Sequence, residues 1–199
     1  MRKKLIIFLP ALLVAITGFR YKPADAVVNY LNTSEVLIFN KMEYKLVWSS
    51  HPATNYYKQE YIPVKETLDR HKNLLLIDYL LIDTPAVNIA KIKAGEIKER
   101  MKTDVNAHFQ LIENAAKKEC ILDFLLSVGG GNSPSVIEWS GYHYQNYTDK
   151  SGHKGIYLFG VSTTAYDDDV MNYLKRLKTD RQGYLKELVK YQVPDIEVK

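Results

Sequence analysis

Apolar and polar residues alternate along much of the chain from residue 107 to residue 163, which limits this part of the protein to β-strands. A period of two places successive side chains on opposite faces of a strand, whereas a helix needs a period of about 3.6. Turn-rich segments divide the alternation into four predicted strands, at residues 107–112, 119–127, 136–147 and 156–163. Because the connections are short, we expect neighbouring strands to pair antiparallel.

A tyrosine-rich hairpin is predicted nearer the start of the chain. Residues 44–49 and 56–62 both alternate, and the connector SHPATN between them is rich in turn-forming residues. In the first of these strands, Tyr44, Leu46 and Trp48 are expected to share one face.

Three other segments carry apolar residues at helical spacing. One apolar stripe predicts a helix over residues 65–82, and a second helix is predicted to begin after Thr84, which can cap it. The last helix follows the sequence YDDD, where Asp167 or Asp168 is expected to cap the first turn.

The predicted elements follow the order β-β-α-α-β-β-β-β-α, with a further short strand near residues 36–39. This order indicates an α+β fold, in which about three amphipathic helices cover a largely antiparallel sheet. We expect residues 41–199 to form this single domain and residues 27–40 to form an N-terminal arm.

The first 26 residues have the pattern of a secretory signal peptide. A basic cluster precedes an almost wholly apolar run at residues 5–16, and small residues at 24–26 predict cleavage before Val27. The run is shorter than the roughly 20 residues that a spanning helix needs. We therefore expect an exported, periplasmic or extracellular protein with no membrane span after cleavage.

Charge and cysteine content narrow the class of protein further. Five of the 27 basic residues and one of the 23 acidic residues lie within residues 1–26, so the remainder carries 22 of each. A nucleic-acid-binding domain would show an excess of basic residues. Because these residues show none, we expect no nucleic-acid partner. Cys120 is the one cysteine, and its place in an apolar strand favours a buried small side chain over a nucleophile.

Motifs for metal, cofactor or phosphate binding are absent from the sequence. The histidines are not spaced as zinc ligands, and the three aspartates at 167–169 lack the spacing of a calcium loop. The sequence also lacks the G-x-S-x-G, P-loop and G-x-G-x-x-G patterns. We therefore expect no cofactor and no metal.

The clustering of tyrosine is the unusual feature of the composition. Fifteen tyrosines occur, many of them in NYYKQEY and SGYHYQNY. Two such strands side by side would form a surface able to bind a protein, glycan or lipid. The candidate residues of this surface are Trp48, His51, Tyr57, His143 and Tyr144. The alternative is cross-strand tyrosine packing inside the protein.

These observations favour a non-enzymatic binding or accessory protein, and two other functions stay open. The first is a hydrolase or transferase in which His51 or His143 acts as the base and Glu60 or Glu138 orients it. The second is a structural envelope protein that assembles with itself.

The chain resembles a group of uncharacterised exported bacterial proteins. The resemblance rests on the leader, YKLVWSSHPATNYYKQEYIP, ILDFLLS, VIEWSGYHYQNY and GIYLFGVSTTAYDDDVMNYLKRLK. It implies no activity and no catalytic residues. The order of elements also resembles that of the PsbP/Mog1-like α+β fold, and this likeness concerns architecture alone.

Overall fold

The computed structural model describes residues 27–129 and 134–198. The predicted signal peptide, residues 1–26, lies outside the described residues, as do residues 130–133 of the predicted glycine-rich loop.

Eight strands form one antiparallel sheet in the order β1-β2-β3-β4-β8-β7-β6-β5. The strands are β1 Val36–Phe39, β2 Met42–Ala53, β3 Tyr56–Pro63, β4 Asn73–Leu80, β5 His108–Asn114, β6 Glu119–Val128, β7 Val136–Thr148 and β8 Lys154–Tyr166. The helices are α1 Ala86–Arg100 and α2 Val170–Lys190, and short 3-10 turns occupy Leu68–Arg70 and Asp167–Asp169. The fold is thus α+β, as predicted, but it is dominated by the sheet and has two α-helices rather than about three.

The sheet consists of two four-stranded meanders, each followed by one helix. They meet where β4 pairs with β8, from Asn73 opposite Thr163 to Leu80 opposite Ile156. The predicted hairpin of β2 and β3 is present, and its turn is tighter than SHPATN because β2 continues to Ala53.

The predicted helix over residues 65–82 is wrong, because residues 73–80 form the central strand β4. The sequence NLLLIDYL is buried on both faces, so its nearly continuous apolar character resembles that of a buried helix. Leu75, Ile77 and Tyr79 face one side of the sheet, and Leu76 and Leu80 face the other.

The two helices cover opposite faces of the sheet, here named the α1 face and the α2 face. On the α1 face, Ile89 and Ile97 of the helix pack with the core residues Leu122 and Phe124. On the α2 face, the helix packs over Trp139 and its neighbours. Neither helix combines the length and the apolar content that crossing a bilayer requires, within the part of the chain that is described.

The N-terminal segment docks on the α2 face through Gln59, a buried polar residue of β3. The Gln59 side-chain oxygen accepts a hydrogen bond from the Leu31 backbone N–H at 2.8 Å. Its Nε2 donates to the Thr33 hydroxyl at 3.1 Å. The predicted arm is therefore packed against the sheet, and its last residues form β1.

The aspartates before α2 do not cap it with their side chains, contrary to the expectation for Asp167 and Asp168. Asp167 instead adopts a φ of 50° and accepts a hydrogen bond from Arg70 at 2.9 Å. Asp169 binds Lys72 at 3.1 Å. These exposed pairs connect the start of α2 to the segment before β4.

A buried carboxylate connects α2 to the sheet. Asp123 of β6 is 1% exposed and accepts a hydrogen bond from Trp139 Nε1 at 2.6 Å. Its other oxygen accepts from Arg181 of α2, with Nε at 2.7 Å and Nη2 also in contact. Both carboxylate oxygens are thus paired, which is the condition for burying this charge without a large penalty.

We expect Asp123→Ala to lower the free energy of unfolding by about 3–5 kcal/mol, since the indole N–H and the guanidinium lose their acceptor. Urea denaturation at pH 7 measures the change. Asp168→Ala, which removes an exposed carboxylate, is the matched control and should stay within about 0.5 kcal/mol of the unchanged protein. Equal losses in the two variants would contradict this role of Asp123.

Candidate functional site

A β-bulge in β2 decides which face carries Trp48. Leu46 lies opposite Tyr61, but the register then shifts and Trp48 lies opposite Glu60. Since Glu60 and Tyr61 are neighbours on one strand, they point to opposite faces. Trp48 therefore lies on the α1 face, not with Tyr44 and Leu46 as the alternation predicted, and it is 41% exposed.

Two other predicted site residues, His51 and Tyr57, lie together on the α2 face. His51 is exposed, and its ring stacks on that of Tyr57 with the centroids 4.1 Å apart. Tyr30 of the N-terminal segment packs near both rings. Tyr57 itself is buried, so His51 is the accessible member of the pair.

The last two predicted residues, His143 and Tyr144, are buried on opposite faces of β7. The two tyrosine-rich strands β3 and β7 are not neighbours, because β4 and β8 lie between them. Their tyrosines thus do not form one shared surface, and Tyr144 packs in the core under α1. Central strands that are apolar on both faces take the middle of the sheet, which separates the two tyrosine clusters.

The sheet also separates the histidines from the carboxylates considered as an acid–base pair. His51 and His143 lie on the α2 face, whereas Glu60 and Glu138 lie on the α1 face. His143 Nε2 instead lies 3.2 Å from Glu119. Burial lowers the pKa of His143, which favours its neutral form.

The α1 face carries a buried polar group that the sequence analysis did not single out. Asp78 in the centre of β4 is 5% exposed and accepts a hydrogen bond from the Tyr56 hydroxyl at 2.5 Å. Lys58 Nζ donates to the same oxygen, Asp78 Oδ2, at 3.1 Å. The second oxygen, Oδ1, is buried and has no hydrogen-bond partner among the described residues.

Two further carboxyl groups lie on this face. Glu138 of β7 is within 3.2 Å of the Ser140 hydroxyl and 3.3 Å of the Thr164 hydroxyl, and both hydroxyls donate to it. Glu60 of β3 is the other group, and both glutamates are partly exposed. Partial burial raises the pKa of Glu60 and of Glu138, and the charges of Asp78 and Glu138 also act to raise that of Glu60.

Tyr142 lies at the centre of these groups because of Gly160. A Cβ atom at position 160 would be 2.9 Å from the ring of Tyr142, so only glycine lets the ring pack down on β8. Burial raises the pKa of Tyr142, and the charges of Glu138, Asp78 and Glu60 raise it further. The charges of three carboxyl groups therefore act on one hydroxyl. We name Lys58, Glu60, Asp78, Glu138, Tyr56, Tyr142 and Trp48 the carboxylate site.

Helix α1 leaves part of its own face uncovered. It packs against β5, β6 and β7, so β2 and β3 lie beyond it. At the border, Lys93 of α1 binds Glu96 at 3.1 Å and is largely buried. The carboxylate site thus lies between α1 and the exposed indole of Trp48.

Two surface cavities lie away from the carboxylate site. One of about 370 Å³ lies between the turn at Asn40 and the end of α2. The other, of about 150 Å³, lies between α2 and the Thr163 end of β8. We assign the candidate site by its buried ionisable groups and its unpaired oxygen rather than by cavity size, because perturbed groups of this kind concentrate at functional sites. No cluster of three metal-ligating side chains occurs in residues 27–129 and 134–198.

The fold and the site together define a two-helix α+β protein with one eight-stranded antiparallel sheet and a polar site on one face. The chain belongs to an uncharacterised protein family, whose model matches residues 31–193. Searches of curated proteins and of solved structures found no significant match.

The sequence did contain a signal for the carboxylate site. Asp78 interrupts the apolar run NLLLIDYL, and a charged residue in such a run is unusual unless it is paired. Tyr56, Lys58 and Glu60 alternate along one face of β3, opposite the tyrosines that drew attention. With residues 73–80 assigned to a helix, the sequence does not place Lys58 beside Asp78, because only the pairing of β3 with β4 does so.

We expect Glu138→Gln to stabilise the protein at pH 7 and to leave its stability nearly unchanged below about pH 4.5. The ordinary pKa of the carboxyl group is 4.5 and folding raises it. Between these values the folded state binds more protons than the unfolded state, so the free energy of unfolding falls as the pH rises. Glutamine keeps the shape of the glutamate side chain but does not titrate, so this loss of stability with rising pH does not occur.

Chemical denaturation of both proteins from pH 4 to pH 8 measures the difference. Glu35→Gln, at an exposed position, is the control and should follow the unchanged protein at every pH. A constant difference between Glu138→Gln and the unchanged protein across this range would contradict the raised pKa.

Proposed function

We propose that the protein is an exported, non-enzymatic binding or accessory protein, and that its ligand contacts the carboxylate site beside Trp48. The observation that carries the proposal is the combination of an exposed indole with buried ionisable groups, one of which has an unpaired oxygen. An exposed tryptophan offers apolar area to a ligand, while the polar groups fix its orientation.

The energetics of the site support a role outside folding. Buried charged groups cost stability unless all their atoms are paired, and an apolar residue of similar size often serves the fold better. Asp78 lies in the central strand β4, whose adjacent residues along the chain are apolar. A ligand that pairs with the site would offset this cost.

Binding is favoured over covalent catalysis by the side chains on the α1 face. Cys120 lies on this face but is 1% exposed, and burial raises its pKa to about 11. The nucleophilic thiolate is thus disfavoured. Lys58 is engaged by Asp78 and by the Tyr56 hydroxyl, so its amine is not free to act as a nucleophile or base.

A screen by nuclear magnetic resonance tests the binding proposal. Trp48 and Trp139 are the two tryptophans, so a nitrogen–proton spectrum contains two indole signals. Among small molecules that represent amines, carboxylates, sugars and lipid headgroups, we expect at least one to shift the Trp48 signal and to leave that of buried Trp139 nearly unchanged.

Trp48→Ala should abolish or strongly weaken the binding, measured on the remaining backbone signals of β3. Ile112→Ala on β5, a similarly exposed apolar position far from the site, is the control and should bind as the unchanged protein does. If no member of the set shifts the Trp48 signal, the proposed binding function is lost.

The proposal includes export and cleavage before Val27. When the whole chain is expressed in a bacterial host, we expect the mature protein outside the cytoplasm with Val27 as its first residue, determined by mass spectrometry. Leu12→Arg should hold the uncleaved chain in the cytoplasm, because a charge interrupts the apolar run of the signal. Cytoplasmic recovery of the uncleaved, unaltered chain would refute export.

The carboxylate site is compatible with three classes of partner. A protein segment, a glycan or a lipid headgroup could each present groups to Trp48 and the carboxyls. The likeness to the PsbP/Mog1-like fold stays a prediction, and no binding residue is transferred from it.

A further inference from the structure

We propose that the carboxylate site recognises its ligand through a cationic amine or guanidinium group. This inference rests on the proposed binding function and specifies the chemistry of that site.

The first argument is the balance of charge. The titratable groups that face the site come from three strands, from α1 and from the turn before β4: Tyr56, Lys58, Glu60, Asp78, Glu138, Tyr142 and Tyr144 from the sheet, Lys93 and Glu96 from α1, and His71 from the turn. Lys58 is paired with Asp78, and Lys93 with Glu96. Glu60 and Glu138 have no lysine or arginine partner among the described residues.

The second argument is the unpaired oxygen of Asp78. Its Oδ1 atom is buried and accepts no hydrogen bond from the described residues, although Oδ2 accepts two. Ammonium and guanidinium groups carry several N–H donors and no acceptor, so they match a set of carboxylate oxygens. A carboxylate or phosphate ligand would instead meet like charge.

The third argument is the exposed position of Trp48 beside Glu60. Trp48 lies directly opposite Glu60 in the pairing of β2 and β3. A cation that lies over an indole ring is attracted by its electrons, and tryptophan is the best aromatic partner for this contact. The site thus offers an aromatic ring and a carboxyl group on adjacent strands.

Binding of a cation should be coupled to the release of protons from the site. Burial raises the pKa of Glu60 and of Glu138, so these groups hold protons to a higher pH than exposed glutamates. A bound cation favours their ionised form and therefore releases protons. We expect the affinity to rise with pH between pH 5 and pH 8, and the heat of binding to depend on the ionisation enthalpy of the buffer.

Isothermal titration of the mature chain, residues 27–199, provides the test. The probes are agmatine, the tripeptide Gly-Arg-Gly, glucose and glutarate, each in two buffers and at pH 5 and pH 8. We expect agmatine or the tripeptide to bind, more tightly at pH 8, and the comparison of the two indicates whether the cation is a free amine or a peptide side chain. Glucose and glutarate should not bind.

The variants Glu60→Gln and Glu138→Gln should each weaken cation binding by at least about tenfold, the loss expected when a charged hydrogen-bond partner is removed. Thermal unfolding checks that each variant folds. Glu35→Gln, at an exposed position outside the site, should leave the affinity unchanged.

Each of the other possible results contradicts one particular claim. If glucose or glutarate shifts the Trp48 indole signal and the cations do not, the cationic ligand is refuted while the binding function stands. If the cations bind equally well to Glu60→Gln, Glu138→Gln and the unchanged protein, they bind elsewhere and the inference is wrong. If no probe, and no molecule of the wider screen, affects Trp48, both proposals fail.

Discussion

The pairing of β4 with β8 is the contact on which the rest of this structure depends. It joins two four-stranded meanders into one sheet and places residues 73–80 and 156–163 at its centre. Both strands are buried on both sides, so each face of the sheet needs a cover. Helix α2 and both terminal segments supply one cover, and α1 supplies the other. Because α1 packs mainly on β5, β6 and β7, Trp48 of β2 stays exposed at the far side of the α1 face, and the carboxylate site lies between the two.

Two buried aspartates, one on each face of the sheet, differ in how completely their carboxylate oxygens are paired, and this difference distinguishes a structural role from a candidate functional one. Asp123 has both oxygens paired, by Trp139 and by Arg181, and it thereby connects α2 to the sheet. Asp78 has one oxygen paired twice and the other not at all. A fully paired buried charge is what a fold needs, whereas a partly paired one is a common property of binding sites. This contrast is why the site is assigned to the face of Asp78.

Local irregularities give the site its composition. The bulge after Leu46 turns Trp48 to the face that carries Glu60, and without it the indole would lie with the aromatic residues of the α2 face. Gly160 of β8 has no side chain, so the ring of Tyr142 can pack directly on that strand. Each of these two features involves a single residue, yet together they determine which side chains lie next to one another in the carboxylate site.

The amino-acid pattern by itself determined the strands of residues 107–163, the tyrosine-rich hairpin, the helix after Thr84 and the last helix, because each shows its period within one segment. It also named Glu60 and Glu138, but as partners of His51 and His143, which the sheet places on its other face. Only the tertiary structure decided that residues 73–80 form a strand, since a run buried on both faces has no distinctive period. It alone separated β3 from β7 and brought Lys58 to Asp78, because the order of strands in a sheet depends on which faces must be buried, and a local pattern contains no information about distant neighbours.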